Sequence, residues 1–109
     1  MEQDDREGLV LEYLDMLLPE DWANMDIYRR RDYVNETDDP TRPVGKYRRT
    51  EVSNIEIWCE CFGRAKEDLK HADSNAIAAI MVRLEGWSKL VSRKRLPIYG
   101  QQRVYRRLK

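Results

Sequence analysis

Histidine is almost absent from this sequence: His71 is the only one in 109 residues. A Ser-His-Asp or Cys-His device would hang entirely on it, and in a polar stretch it reads as a loop or capping residue. Cysteine is nearly as scarce. Cys59 and Cys61 are separated by one residue, and on a helix such side chains point about 200° apart, which does not suit a mutual disulfide. As half of a metal site they lack a second soft pair, so both read as structural. Glycine totals five, with no Gly-x-Gly and no Gly-x-Ser-x-Gly. Gly45-Lys46 fails as a Walker loop twice, since Pro40 stands at the first glycine and Tyr47 at the Ser/Thr position. There is no His-Glu-x-x-His, and Asp38-Asp39 lies in a loop without fixed geometry for acid-base work. The expectation is a non-enzyme without cofactor or metal. No apolar run approaches the ~20 residues of a membrane span. Met1-Glu-Gln-Asp-Asp5 is acidic where a secretory signal would be basic, so a cytoplasmic, non-membrane protein is expected.

Net charge is also lacking, but only in the sum. Lysines and arginines number 20, as do acids. Residues 1–45 hold 13 acids against five arginines, and residues 86–109 hold eight basic side chains and no acid. The basic set is Lys89, Arg93, Lys94, Arg95, Arg103, Arg106, Arg107 and Lys109. A polarised chain of this kind presents one end to a polyanion; a solvated basic tail is the plainer reading.

What is present is core material: three Trp, six Tyr and 41% apolar residues. Leu9, Val10, Tyr13, Leu14, Leu17 and Leu18 form one helical stripe that Pro19 stops, predicting a helix over 8–18. Trp22 is the expected anchor of the connector after it. Asp26 predicts an N-cap for a helix over 27–34. Pro40, Pro43 and Gly45 make residues 36–45 a loop and the natural seam of the chain. Lys46 to Val52 is compatible with a short extended segment. Ser53-Asn-Ile-Glu56 is a capping box for a helix over 53–62, and Gly63 suits its C-terminus. Helices over 64–71 and 74–85 follow, the latter capped by Asp73 or Ser74. Ile55, Trp58, Phe62, Leu69, Ile77, Ile80, Met81, Leu84 and Trp87 are the predicted core. Trp87 to Val91 and Gln102 to Leu108 can pair as a hairpin turned at Pro97, Tyr99 and Gly100.

The fold expected is mainly α, α+β in class: a winged helix-turn-helix over 46–109, with an acidic helical extension and loop over 1–45. Its third helix would offer Ser74, Asn75, Ala78, Val82 and Arg83 to a groove, the first two and Arg83 being able to pair with bases or phosphates. Its wing would contact phosphates through Lys89, Arg93, Lys94, Arg95, Arg103, Arg106 and Arg107. Tyr99 and Tyr105 can stack on unpaired bases or pack the hairpin; packing is expected for Tyr105, and Tyr99 stays open. Arg29-Arg30-Arg31 reads as a solvated helix face beside Asp26 and Asp32. Winged helices also dock proteins, so an interaction or oligomerisation module is the alternative, with Tyr13, Leu14, Leu17, Leu18 and Trp22 packing on a neighbour.

Several separated blocks carry a further pointer: Leu17-Leu-Pro-Glu-Asp-Trp22, Tyr28-Arg-Arg-Arg-Asp-Tyr33, Val52-Ser-Asn-Ile-Glu-Ile-Trp-Cys-Glu-Cys-Phe-Gly63, Ala72-Asp-Ser-Asn-Ala-Ile77, Gly86-Trp87 and Tyr99-Gly-Gln-Gln-Arg-Val-Tyr105. In this order, over about residues 8–107, they resemble the C-terminal region of the virulence-associated protein E family, relatives of phage replicative primase-helicases. The resemblance implies an excised C-terminal domain or a short stand-alone relative, acting with an upstream helicase-type ATPase or other phage replication proteins. It implies DNA as partner and a non-catalytic accessory role in replication; ATP hydrolysis is not implied, because the ATPase motif is missing.

Overall fold

The computed structural model describes residues 6–108; Lys109, the last of the basic set, and residues 1–5 lie outside the described residues. The fold is α+β. Helices α1 (Arg6–Asp15) and α2 (Ile27–Asn35) come first, joined through a single 3₁₀ turn, Trp22–Asn24. Strand β1 (Glu51–Ser53) leads into α3, one α-helical turn (Asn54–Glu56) continued by the π-helical stretch Ile57–Cys61. A 3₁₀ turn (Lys66–Asp68), helix α4 (His71–Arg83) and strands β2 (Trp87–Leu96) and β3 (Gly100–Arg107) complete the chain. The sheet is antiparallel with order β1-β3-β2.

Local chemistry accounts for the element ends. The Asp26 carboxylate accepts from the Arg29 amide at 2.8 Å and starts α2. The capping box closes: Glu56 Oε1 accepts from the Ser53 amide at 2.9 Å, and the Glu56 amide donates to Ser53 Oγ at 3.3 Å. Gly63 leaves the helical region at φ +67°, a conformation that suits glycine just past a helix end. The indole of Trp58 then donates to the Ala65 carbonyl at 2.8 Å and folds the chain back.

Three expected helices are revised. The first ends at Asp15, because Leu18 pairs instead with Tyr47 (Leu18 N–H to Tyr47 O, 2.7 Å) and Pro19 biases its predecessor to extended backbone. Gly45 lets this bridge close: a Cβ there would stand 2.6 Å from the Leu17 carbonyl. The helix expected over 64–71 is only the 3₁₀ turn. Leu69 is its one large apolar side chain, so a helix there has no face to bury. Helix α4 begins at His71, which is therefore helical and not a loop residue; Asp73 caps from inside, accepting from the Lys70 amide at 3.2 Å.

The core contains Ile55, Trp58, Ile77, Ile80 and Met81 as expected, with Phe62, Leu69, Leu84 and Trp87 half-buried against it. Residues from both sides of the 36–45 loop share it: Val10, Tyr13, Leu14, Trp22 and Tyr33 belong to the same cluster as Val52, Ile77 and Tyr99. That loop is also fastened, since Arg42 donates to the Tyr33 carbonyl at 2.9 Å and lies 4.0 Å over the Tyr33 ring.

The core is polar at its centre. Residues Ile55 to Cys61 are all buried, so α3 and its π-helical extension are surrounded on every side. This encloses Glu60, whose carboxylate is 0% exposed. It accepts from Tyr13 at 2.6 Å, Tyr99 at 2.7 Å and Arg30 at 3.0 Å. One carboxylate thus joins α1, α2, α3 and the turn of the hairpin. Arg30 is therefore a buried ion-pair partner, not part of a solvated face; Arg31 is half-buried, donating to the Cys59 carbonyl at 2.8 Å, and only Arg29 of the three is exposed.

Candidate nucleic-acid interface

The β2–β3 hairpin carries the basic residues, and its register decides which of them act together. Arg93 pairs with Arg103, Lys94 with Gln102 and Arg95 with Gln101. Side chains alternate along strands, so Arg93, Arg95, Gln101 and Arg103 share one face, and all four are exposed. No ion pair joins these three arginines to a carboxylate among the described residues. Lys89, which pairs with Tyr105 beyond an irregularity in β2, is also exposed and without a salt-bridge partner among them.

The remaining expected contacts, Asn75 apart, are engaged within the molecule. Lys94 and Arg106 both pair with Glu51, Arg106 at 3.2 Å, and the two cations hold the Glu51 carboxyl below its usual range. Arg107 is built into the structure. Its side chain is 8% exposed, stacks 4.6 Å over Trp87, and donates to the carbonyls of Leu14 at 2.6 Å and Arg49 at 2.7 Å. It is a brace between the sheet and α1. On α4, Arg83 pairs with Glu7 at 2.7 Å, the Ser74 hydroxyl accepts from Asn54 at 3.1 Å, and Asn75 is exposed.

Both hairpin tyrosines are buried, so neither offers a ring to an unpaired base. Tyr99, left open by the sequence, is committed to Glu60. The front apolar residues weighed for docking divide similarly: Tyr13, Leu14 and Trp22 are core, Leu18 is half-buried and Leu17 is exposed. Cys59 and Cys61 are free and buried. Burial pushes their thiols to about 11 and about 12, which keeps them protonated and inert near neutral pH. Among the described residues no cluster of His, Cys, Asp or Glu could hold a metal ion, and no helix is long and apolar enough to cross a membrane.

Two cationic residues escaped the sequence reading. Arg48 and Arg49 precede β1, and Arg49 is 3% exposed. Its guanidinium lies 4.2 Å over the Tyr13 ring and 5.3 Å over Trp22. Their place between a loop and a short strand gave no periodic signal of burial. No protein-family model matches the chain, and no curated protein matches it significantly.

Proposed function

We propose that this chain is a non-catalytic DNA-binding domain of the winged-helix kind, with the β2–β3 hairpin as its wing. The observation that carries the reading is the opposition of Arg93 and Arg103 across the hairpin, with Arg95 beside them. Like charges directly opposite on paired strands are destabilising, and a phosphate backbone supplies the missing counter-charge. The order of elements supports the same reading: helix, β1, α3, turn, α4, then two strands joined by a short tip, with the last strand central in the sheet. In that plan α4 faces the groove.

Base readout is thin. Asn75 is exposed on α4, whereas Arg83 and Ser74 are held by Glu7 and Asn54. Affinity then comes from phosphates at Lys89, Arg93, Arg95 and Arg103, with weak sequence preference. Lys94 and Arg106 contribute less because Glu51 neutralises them. The resemblance to the virulence-associated protein E family supports an accessory role beside a helicase-type ATPase in phage-type replication.

The test is a titration of duplex and single-stranded DNA at low salt with the triple variant Arg93→Ala, Arg95→Ala, Arg103→Ala. Its binding should fall for all sequences alike while its circular dichroism stays that of the parent; Lys94→Ala should weaken binding less. Parent-like affinity in the triple variant would overturn the assignment. A folded parent that binds no DNA at low salt and gains mass with concentration would favour a docking module, using Leu9, Leu11 and Leu17, which remain 46%, 45% and 48% exposed.

A further inference from the structure

A second cationic feature adjoins the Arg93–Arg103 face through Arg95, where the hairpin meets the 3₁₀ turn after α1. It is a cleft of about 340 Å³ lined in part by Trp22, Arg30, Arg48, Arg49, Glu56 and Lys94, with Glu51 at its side. Internal pairing removes part of its charge. Arg30 is matched by Glu60 at 3.0 Å and Lys94 by Glu51. Arg48, Arg49 and Arg95 remain, with Glu56 as the one unmatched acid, its Oε2 3.9 Å from Arg49 Nη1. The surplus is two positive charges with Glu56 ionised and three with it protonated.

Arg49 is placed unlike any other arginine in the chain. Its guanidinium carbon lies over the rings of both Tyr13 and Trp22, and Nη1 approaches Glu56. Its Nε and Nη2 are buried and have no hydrogen-bond partner. Buried charged donors without acceptors are costly and rare in native proteins. Nε and Nη2 are also the two adjacent donors of one guanidinium edge, the edge that meets two oxygens of a phosphate at once. A cation packed over two aromatic rings, with this edge unpaired and buried in a residue that lines a cleft, is suited to a tetrahedral oxyanion.

We propose that this cleft is a phosphate-binding site, with the Nε–Nη2 edge of Arg49 gripping the phosphate and Arg48 drawing it in at the mouth. The inference deepens the nucleic-acid reading: the phosphate belongs to a DNA strand that passes from the hairpin face toward the helices. Free phosphate presents the same chemistry, and the two sources separate by experiment. Glu56 competes for Arg49, so removing its charge should tighten binding.

The test is NMR of the full chain, following the Arg49 side-chain Nε–H and the hairpin amides. The probes are inorganic phosphate and a short oligonucleotide with and without a 5′-phosphate. Both probes should shift the Arg49 Nε–H, and inorganic phosphate should displace the oligonucleotide from it. Arg48→Ala, an exposed position, should weaken the response several-fold, and Glu56→Gln should strengthen it; a merely structural role for Arg49 predicts neither. If the oligonucleotide shifts hairpin amides but neither probe moves Arg49, the cleft assignment is overturned and the DNA reading survives. If inorganic phosphate moves Arg49 while no oligonucleotide binds, the cleft stands as a site for free phosphate and the DNA reading falls. An Arg49 shift with the 5′-phosphorylated oligonucleotide alone would assign the site to a strand end, and a shift with both oligonucleotides to an internal phosphate. A silent Arg49 and silent hairpin amides would overturn both.

Discussion

Two glutamates one helical turn apart, Glu56 and Glu60, behave differently because their partners differ. Glu60 is met by two tyrosine hydroxyls and the Arg30 guanidinium, so both its oxygens are engaged. Removing one partner of such a pair costs about 3–5 kcal/mol, because the other is left buried and alone. Glu56 has the Ser53 bonds but only a loose approach to Arg49. Burial first, and the neighbouring Glu60 second, raise its carboxyl from an ordinary 4.5 to about 7, against the opposing pull of Arg49 and Ser53. A folded-state value above the unfolded one means that the folded protein holds the extra proton. The stability Glu56 contributes is complete below about 4.5 and is lost as pH rises through about 7. Melting temperatures at pH 5 and pH 8 check this: the parent should lose more stability across that interval than Glu56→Gln, which cannot ionise. Equal losses would show that Glu56 is not the titrating group.

Among the elements, the hairpin tip carries visible strain. Ile98 sits at φ 74°, where β-branched residues are seldom found. Such a residue stores about 1–3 kcal/mol, and glycine returns part of that as chain entropy. Ile98→Gly should therefore stabilise the protein by about 1 kcal/mol in a denaturant titration; a loss of stability would show that the Ile98 side chain packs for more than its backbone costs. The elements readable in advance were those with a local signature. Asp26 and Ser53-x-x-Glu56 announced their helices through caps, and Ile77, Ile80 and Met81 marked one face of α4. The apolar stripe overruns helix α1 because the pairing of Leu18 with Tyr47 joins residues far apart in sequence, and a periodic stripe cannot show a rival bridge. The π-helical stretch was illegible for a related reason, since its enclosure on all sides comes from α1, α2 and the sheet together.

The whole molecule explains why charge alone gave only part of the candidate interface. A count of cations cannot tell Arg93, with no carboxylate paired to it among the described residues, from Arg107, stacked on Trp87 and bonded to α1. Nor could it show that Arg30 of a basic run is buried beside Glu60. The acidic front supplies partners for the basic back: Glu7 holds Arg83 and Asp15 meets Arg107 at 3.4 Å. Because Tyr13 and Arg30 satisfy Glu60, a fragment of residues 46–109 would leave that carboxylate buried with Tyr99 alone. Such a fragment should fail to give a cooperative melt, whereas a well-folded one would show that the shared core is dispensable.

The central claim is that exposed hairpin cations meet DNA phosphates. The most direct measurement is the affinity of the intact chain for duplex DNA over a series of salt concentrations. Contacts through Lys89, Arg93, Arg95 and Arg103 predict that the logarithm of affinity falls against the logarithm of salt with a slope of about −3 to −4, by release of counterions. A slope near zero, or no binding at the lowest salt, would contradict it.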